Sequence, residues 1–181
     1  ENLSDHLTLT ALPILARHFW QDGARLDLMA DVESSAQNIS AVFGHRAAQD
    51  YHRFRARAAR LFAAFDAPMM QTGDPSVAAL ARVIARRPRL MLDMAPHRSL
   101  AAMARGAFRN PHLAQLFARY ATYVGGSPLR SPALLALISE SEGRGVWAVH
   151  GGMHRLALVV AGLATARGAR FQFSTRAQRI E

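Results

Sequence analysis

Cysteine and lysine are both absent from this chain of 181 residues. Without cysteine there is no disulfide and no thiolate metal site, which suits a reducing compartment. Without lysine, all 22 basic residues are arginine; in a chain this rich in alanine, that reads as a codon-composition bias. No apolar run nears the roughly 18 residues of a membrane-spanning helix. The opening Glu1-Asn2-Leu3-Ser4-Asp5-His6 has neither the basic nor the apolar stretch of a secretory signal. It does not start on methionine, so further sequence is expected before it. Acidic residues are few, 13 in all, and the formal charge is +9. A basic surface attracts nucleic acid or anionic lipid. Nucleic acid is not an expected partner, because the arginines are scattered and no recognition module accompanies them. A paired-carboxylate cluster, G-x-S-x-G and H-E-x-x-H are missing too, which removes the hydrolase chemistries they serve.

Half of the residues are apolar, enough for a sizeable core. Residues 7–31 have strand character. Within them, Gln21-Asp22-Gly23 marks a hairpin turn, since Asp-Gly supplies the positive φ of tight turns. Glu33 to Phe43 is a short helix candidate ending at Gly44. Arg46 to Phe65 is a stronger one: Ala47, Tyr51, Phe54, Ala58, Leu61 and Phe65 line one helical face. Further helices are expected at 76–87, 100–108, 111–123 and 132–141. Asn110 should cap the third of these ahead of Pro111, and Ser131 the last. The close of the chain reads as strand (Val146 to Val149), glycine turn, helix and strand (Phe171-Gln172-Phe173), the parts of a parallel α/β unit.

Three motifs invite chemistry. His150 and His154 are spaced to share a metal on a helix, but no third ligand stands nearby and a zinc site needs three, so turn-capping or solvated histidines are the reading and no metal is expected. "RVIARRPRL" sets Arg82, Arg86, Arg87 and Arg89 among apolar residues. It is either a solvated helix face or a basic segment lying on a membrane surface. The pairs Gly125-Gly126 and Gly151-Gly152 are either plain turns or places where backbone approaches an electron-rich ligand at a helix mouth.

These motifs also occur in a recognisable order. Phe117 through Pro128 reads F-x-x-x-x-x-Y-x-G-G-x-P, and Glu142 through Met153 reads E-x-x-G-V-W-x-x-x-G-G-M. A helix and a strand are expected next, then a V-x-x-I-like stretch at Ala177 through Ile180, with alanine in the valine place. Arg17 through Leu28 reads R-x-x-x-x-D-G-x-x-L-D-L, followed by "YHRF" at Tyr51. In this order the chain resembles the carotenoid desaturase family, the phytoene-desaturase-like FAD-dependent oxidoreductases. Its wording is nearest the hydroxycarotenoid 3,4-desaturase, or methoxyneurosporene dehydrogenase, branch.

The resemblance implies an α+β fold. A mostly helical substrate-binding domain with a β-hairpin would occupy 1–143, and 144–181 would be a returning segment of a Rossmann-like FAD-binding domain. The G-x-G-x-x-G that cradles the FAD pyrophosphate is not in the chain, which is therefore expected to be an internal fragment. The implied reaction removes two hydrogens across a C–C bond beside a polyene. FAD is the implied cofactor and a 1-hydroxy- or 1-methoxy-carotenoid the substrate. The implied location is the cytoplasmic side of a bacterial photosynthetic inner membrane, held peripherally. Gly151, Gly152 and Ala177 are the cofactor-side candidates. Phe19, Trp20, Tyr123 and Trp147 are candidates to line a substrate tunnel, each equally readable as aromatic core. Arg17 and His18 are the polar candidates beside substrate, and no general base is singled out. Other flavoproteins of the superfamily, such as a phytoene desaturase or an amine oxidase, and a non-enzymatic basic membrane-surface protein are the competing readings.

Overall fold

The computed structural model describes residues 3–74 and 76–179. It is a mixture of helices and two small antiparallel sheets, an α+β arrangement. The chain divides into two compact units, Pro13–Val146 on one hand and Glu1–Leu12 with Trp147–Glu181 on the other.

The larger unit starts with a hairpin. Strand β2 (Ile14–Phe19) pairs antiparallel with β3 (Arg25–Met29). Asp-Gly makes the turn as expected: Gly23 sits at φ +87, and Trp20 and Ala24 close the ladder with a 3.0 Å hydrogen bond. Helix α1 (Val32–Phe43) is capped by Asp31, whose carboxylate accepts from the Ser34 N–H. Gly44, at φ +88, ends it and begins α2 (His45–Phe65) at once. All six residues of the anticipated α2 stripe are buried. Five of them, all but Ala58, belong to one core with residues of α5 (Leu100–Ala107) and α6 (Pro111–Ala118), Phe117 included. The Phe117 ring lies 4.6 Å from Phe54, 4.9 Å from Phe108 and 5.8 Å from Tyr51.

Asn110 caps α6 as expected, accepting from the N–H groups of His112 and Leu113. The helix expected over 111–123 changes at Arg119 into a 3-10 helix reaching Val124, which Gly125 ends in the left-handed region. Ser131 does not cap the next helical segment. Proline 132, which has no N–H, stands at the cap of a 3-10 turn (Ala133–Leu137), and Ser131 instead offers its carbonyl to the Leu100 N–H at 2.8 Å. Helix α7 (Ile138–Gly143) follows. Helix α3 (Val77–Arg86) is capped by Ser76. Its Leu80, Val83 and Ile84 pack on the core and its arginines are exposed. A short α4 (Leu90–Met94), not anticipated between Pro88 and Pro96, buries Leu90.

In the smaller unit, β1 (Leu9–Ala11) pairs with β4 (Trp147–Val149). The glycine turn leads into α8 (Met153–Ala166), and Gly168 follows at φ +93. Two expectations fail here. The β4 ladder is antiparallel, because its neighbour is the approaching N-terminal segment and not a strand returning after α8. Phe171-Gln172-Phe173 is not a strand. No described segment runs alongside to take up its main-chain hydrogen bonds, and the two phenylalanine rings stack on each other, exposed. Ile180 of the V-x-x-I-like stretch lies outside the described residues. Among the described residues no helix is long and apolar enough to cross a membrane.

Candidate functional site

Side chains of directly opposed antiparallel residues share a face of the ladder. Leu26 and Leu28 are buried, so their partners His18 and Ala16 turn inward with them. Arg17, Phe19, Arg25 and Asp27 share the other face. There the Arg17 Nε donates to Asp27 at 3.2 Å, and the Arg25 guanidinium lies 5.6 Å from the centre of the Phe19 ring. An open cavity of about 450 Å³ lies along the hairpin and α1, lined by Arg17, His18, Phe19, Asp27, Asn38 and Val42 among others. Phe19 is 67% exposed. The groove therefore offers an aromatic surface beside charged and amide heads.

His18 is the unusual member. Its Nε2 is buried and has no hydrogen-bond partner among the described residues. Burial foremost, then the Arg119 charge, hold its pKa below the ordinary histidine value, against the opposite pull of Glu142 and Asp27. The ring is neutral at pH 7, with one buried nitrogen still to be satisfied. Trp20 stands next to it but turns toward α6. Its indole N–H donates to Gln115 at 2.9 Å, and its ring packs against Phe43 and His112. His112 in turn reaches Asp22 at 2.7 Å, so the hairpin turn is fastened to the start of α6.

Tyr123 belongs to a second cluster, organised by Glu142 near the end of α7. The Glu142 carboxylate accepts from the Tyr123 hydroxyl at 2.8 Å, the Tyr120 hydroxyl at 2.8 Å and the Arg119 guanidinium at 2.8 and 3.0 Å. Burial by itself would raise the Glu142 pKa. The Tyr120 hydrogen bond and the Arg119 charge outweigh it and leave the carboxyl below its usual value. Burial and the same carboxylate push Tyr120 well above the ordinary tyrosine value. One turn away, Arg55 is buried against Gly143, where a Cβ would collide with its guanidinium. It donates to the Ser139 carbonyl and hydroxyl and to Glu140. Tyr123 itself remains exposed, its hydroxyl fixed and its ring free to meet a ligand.

The structure thus brings Arg17, His18 and Phe19 to one groove, ties Trp20 into the hairpin anchor and holds Tyr123 through Glu142. Trp147, Gly151, Gly152 and Ala177 belong to the smaller unit. Trp147 opposes Ala11 on β4 and is 52% exposed. Gly151 and Gly152 adopt φ +80 and +81 at the mouth of α8, and Ala177 lies in the irregular, exposed closing stretch. Among the described residues no group of three or more His, Cys, Asp or Glu is placed to hold a metal. Arg119, Tyr120 and Glu142 were not singled out as site residues from sequence. Their signal was present in the E-x-x-G-V-W motif and in a Tyr-x-x-Tyr spacing that puts two hydroxyls on one side of a helical turn.

No family model matches the chain. It is 46% identical over 180 residues, 99% of its length, to a hydroxyneurosporene desaturase of Cereibacter sphaeroides. A hydroxyneurosporene desaturase of Rhodobacter capsulatus is 42% identical over 97% of the chain. The match covers 36% of each of these two relatives, so the chain spans about a third of their length. A 1-hydroxycarotenoid 3,4-desaturase of a Flavobacterium species is 42% identical over 74 residues, 40% of the chain and 15% of that protein.

Proposed function

From a chain that belongs along nearly its whole length to the carotenoid desaturase family, we propose the corresponding segment of an FAD-dependent oxidoreductase that desaturates a 1-hydroxy- or 1-methoxy-carotenoid at its 3,4 bond. The observation that carries the reading is the identity to hydroxyneurosporene desaturases across 97–99% of the chain. In this reading residues 1–143 supply most of the substrate-binding domain and 144–181 return to the Rossmann-like flavin domain, with Leu9–Ala11 pairing to the returning strand.

The residues on the flavin side fit such a group. Two successive positive-φ glycines leave the backbone open at the mouth of a 14-residue helix, whose first N–H groups favour an electron-rich ligand. Gly151 and Gly152 would hold it, with Ala177 contributing its backbone. FAD supplies the hydride acceptor. The chain's own task is to bind and orient a long hydrocarbon. Apolar burial supplies about 0.8 kcal/mol per CH₂, with Phe19, Tyr123 and Trp147 as the aromatic surfaces. Trp20 supports the hairpin from behind. The substrate's oxygen needs a polar partner, and the two groups the hairpin offers to a hydroxyl or methoxy end are Arg17, on the groove face beside Phe19, and the unsatisfied Nε2 of neutral His18, on the inward face. The protein would meet its substrate at the cytoplasmic face of a bacterial membrane, where the exposed Arg82, Arg86, Arg87 and Arg89 favour anionic lipid. Because Leu80, Val83 and Ile84 pack inward, charge and the exposed Val77 and Leu92 would make that contact.

The test is a graft. This chain replaces the aligned segment of the Cereibacter sphaeroides relative, and the purified chimera is assayed on hydroxyneurosporene by chromatography. The expected result is a product with one more double bond. A folded, flavin-loaded chimera that leaves the carotenoid unchanged would remove the reading.

A further inference from the structure

A second cleft, outside the groove and the Glu142 cluster, is lined with arginine. It has a volume of about 310 Å³ and lies between α2 and the junction of α5 with α6, with Arg53, Arg57, Arg60 and Arg109 in its wall and Asp50 in its floor. Arg98 joins from before α5: its Nη1 is 3.4 Å from where a Cβ on Gly106, a lining residue, would stand. Five guanidinium groups from three stretches of chain therefore face two carboxylates, Asp50 and Asp93.

Those carboxylates position the arginines more than they neutralise them. Asp50 is buried, pairs with Arg53 and the Arg109 N–H, and has the Arg109 guanidinium at 3.6 Å. Asp93 takes both its hydrogen bonds from Arg60, at 2.8 and 2.9 Å. Arg57 donates to main-chain carbonyls, of Asp93 at 2.8 Å and Leu92 at 3.2 Å. It is half-buried, and burial foremost, with repulsion from Arg98 and Arg60, lowers its pKa against the attraction of Asp93. A concave wall focuses the field of such a charge excess. Guanidinium forks suit the paired oxygens of a phosphate.

We propose that this cleft binds a phosphate group, the chemistry shared by a phospholipid headgroup and a soluble phosphate compound. The inference stands independently of the carotenoid reading. The 181-residue chain is titrated calorimetrically with inorganic phosphate and with pyrophosphate, chloride holding ionic strength constant. In parallel it is sedimented with vesicles of phosphatidylcholine, alone or mixed with phosphatidic acid. Saturable binding of the soluble ions without vesicle pelleting identifies a soluble phosphate compound; selective pelleting with phosphatidic acid identifies the headgroup. In whichever arm binds, Arg98→Gln with Arg109→Gln should weaken binding at least tenfold. Arg170→Gln with Arg176→Gln, an equal loss of exposed charge elsewhere, should leave it within about twofold. Circular dichroism checks each fold, and if the cleft double variant does not fold, Arg98→Gln alone, at threefold or more, replaces it. Absence of binding in both arms, or equal weakening by the control pair, overturns the site.

Discussion

Helices α2 and α8 show how differently the two units use apolar residues. Eleven of the 21 residues of α2 are buried, and the exposed remainder is mostly polar, arginine, histidine and glutamine with two alanines. In α8 the fourteen residues are richer in apolar side chains, yet Val159 is the one that is buried. Met153, Leu158 and Val160 are exposed, as are Trp147 before the helix and Phe171 and Phe173 after it. A two-period or 3.6-period pattern states which side of an element is apolar. It does not state what covers that side. In the larger unit the cover lies within the same stretch of chain. In the smaller unit, under the reading proposed above, it would be the rest of a flavin domain.

The largest effect should fall on the larger unit. Phe117 touches the rings of Tyr51, Phe54, Phe108 and Tyr120, so Phe117→Ala should cost about 3–5 kcal/mol. Val159→Ala, in the thin packing of α8, should cost under about 1 kcal/mol, because little is displaced. Urea unfolding followed by far-ultraviolet circular dichroism measures both. Equal costs would erase the contrast between the units.

Next in size is the Glu142 network. Glu142→Gln keeps the shape and removes the charge that Arg119, Tyr120 and Tyr123 share, a loss of about 2 kcal/mol for charged hydrogen bonds of this kind. It also predicts a pH dependence. The folded carboxyl titrates below its ordinary value, so the unfolded chain takes up the proton first. The stabilisation is complete above the ordinary glutamate pKa of about 4.3. It declines as pH falls below that and is gone beneath the folded value. Urea midpoints measured from pH 7 to pH 3 should fall in that window, and the Glu142→Gln profile should be flatter there. A variant that tracks the wild type at every pH would remove Glu142 as the source.

These two predictions mark what could be read from sequence. The α2 stripe, the Asp-Gly hairpin and the Asn110 cap were legible because each depends on residues within a turn or two of one another. The 3-10 turn after Arg119, the displaced role of Ser131 and the short α4 were not. Each is settled by a contact with a distant segment, as when Ser131 gives its carbonyl to Leu100. The candidate residues divide the same way. That Arg17, His18 and Phe19 lie on one hairpin strand was legible from the Asp-Gly turn, and strand alternation puts Arg17 and Phe19 on one face with His18 on the other. The convergence of Tyr120, Tyr123 and Arg119 on Glu142 spans about twenty residues and was invisible to periodicity. At the close of the chain, alternation at Phe171 and Phe173 suggested a strand, but a strand also needs a ladder partner, which the pattern of one segment cannot supply.

A smaller effect should come from the glycine turn. Gly152 has φ +81 and open space where a Cβ would stand. Gly152→Ala therefore meets no clash, and its cost is backbone strain, about 1 kcal/mol or somewhat more. Hydrogen exchange should place that loss in α8 and leave α2 unaffected. Faster exchange spread equally through α2 would mean that the two units do not unfold separately.

The smallest effect on stability should come from Trp147, and it sharpens the comparison most. Its ring is 52% exposed on a three-residue strand, opposite Ala11. Truncating it removes little buried area, so Trp147→Ala should shift the urea midpoint of the isolated chain by the equivalent of about 0.5 kcal/mol or less. Under the reading proposed above, this exposed indole, on the strand that leads to the two positive-φ glycines, would meet the apolar substrate. In the grafted chimera, then, Trp147→Ala should lower carotenoid turnover severalfold while the flavin-to-protein ratio, read from the absorbance spectrum, stays at the parent value. If flavin is lost in step with turnover, the ring serves the cofactor side of the fold and not the substrate. If the isolated chain is destabilised as strongly as by Phe117→Ala, the exposed apolar surface of the smaller unit is core after all, and the contrast between the units fails at its clearest residue.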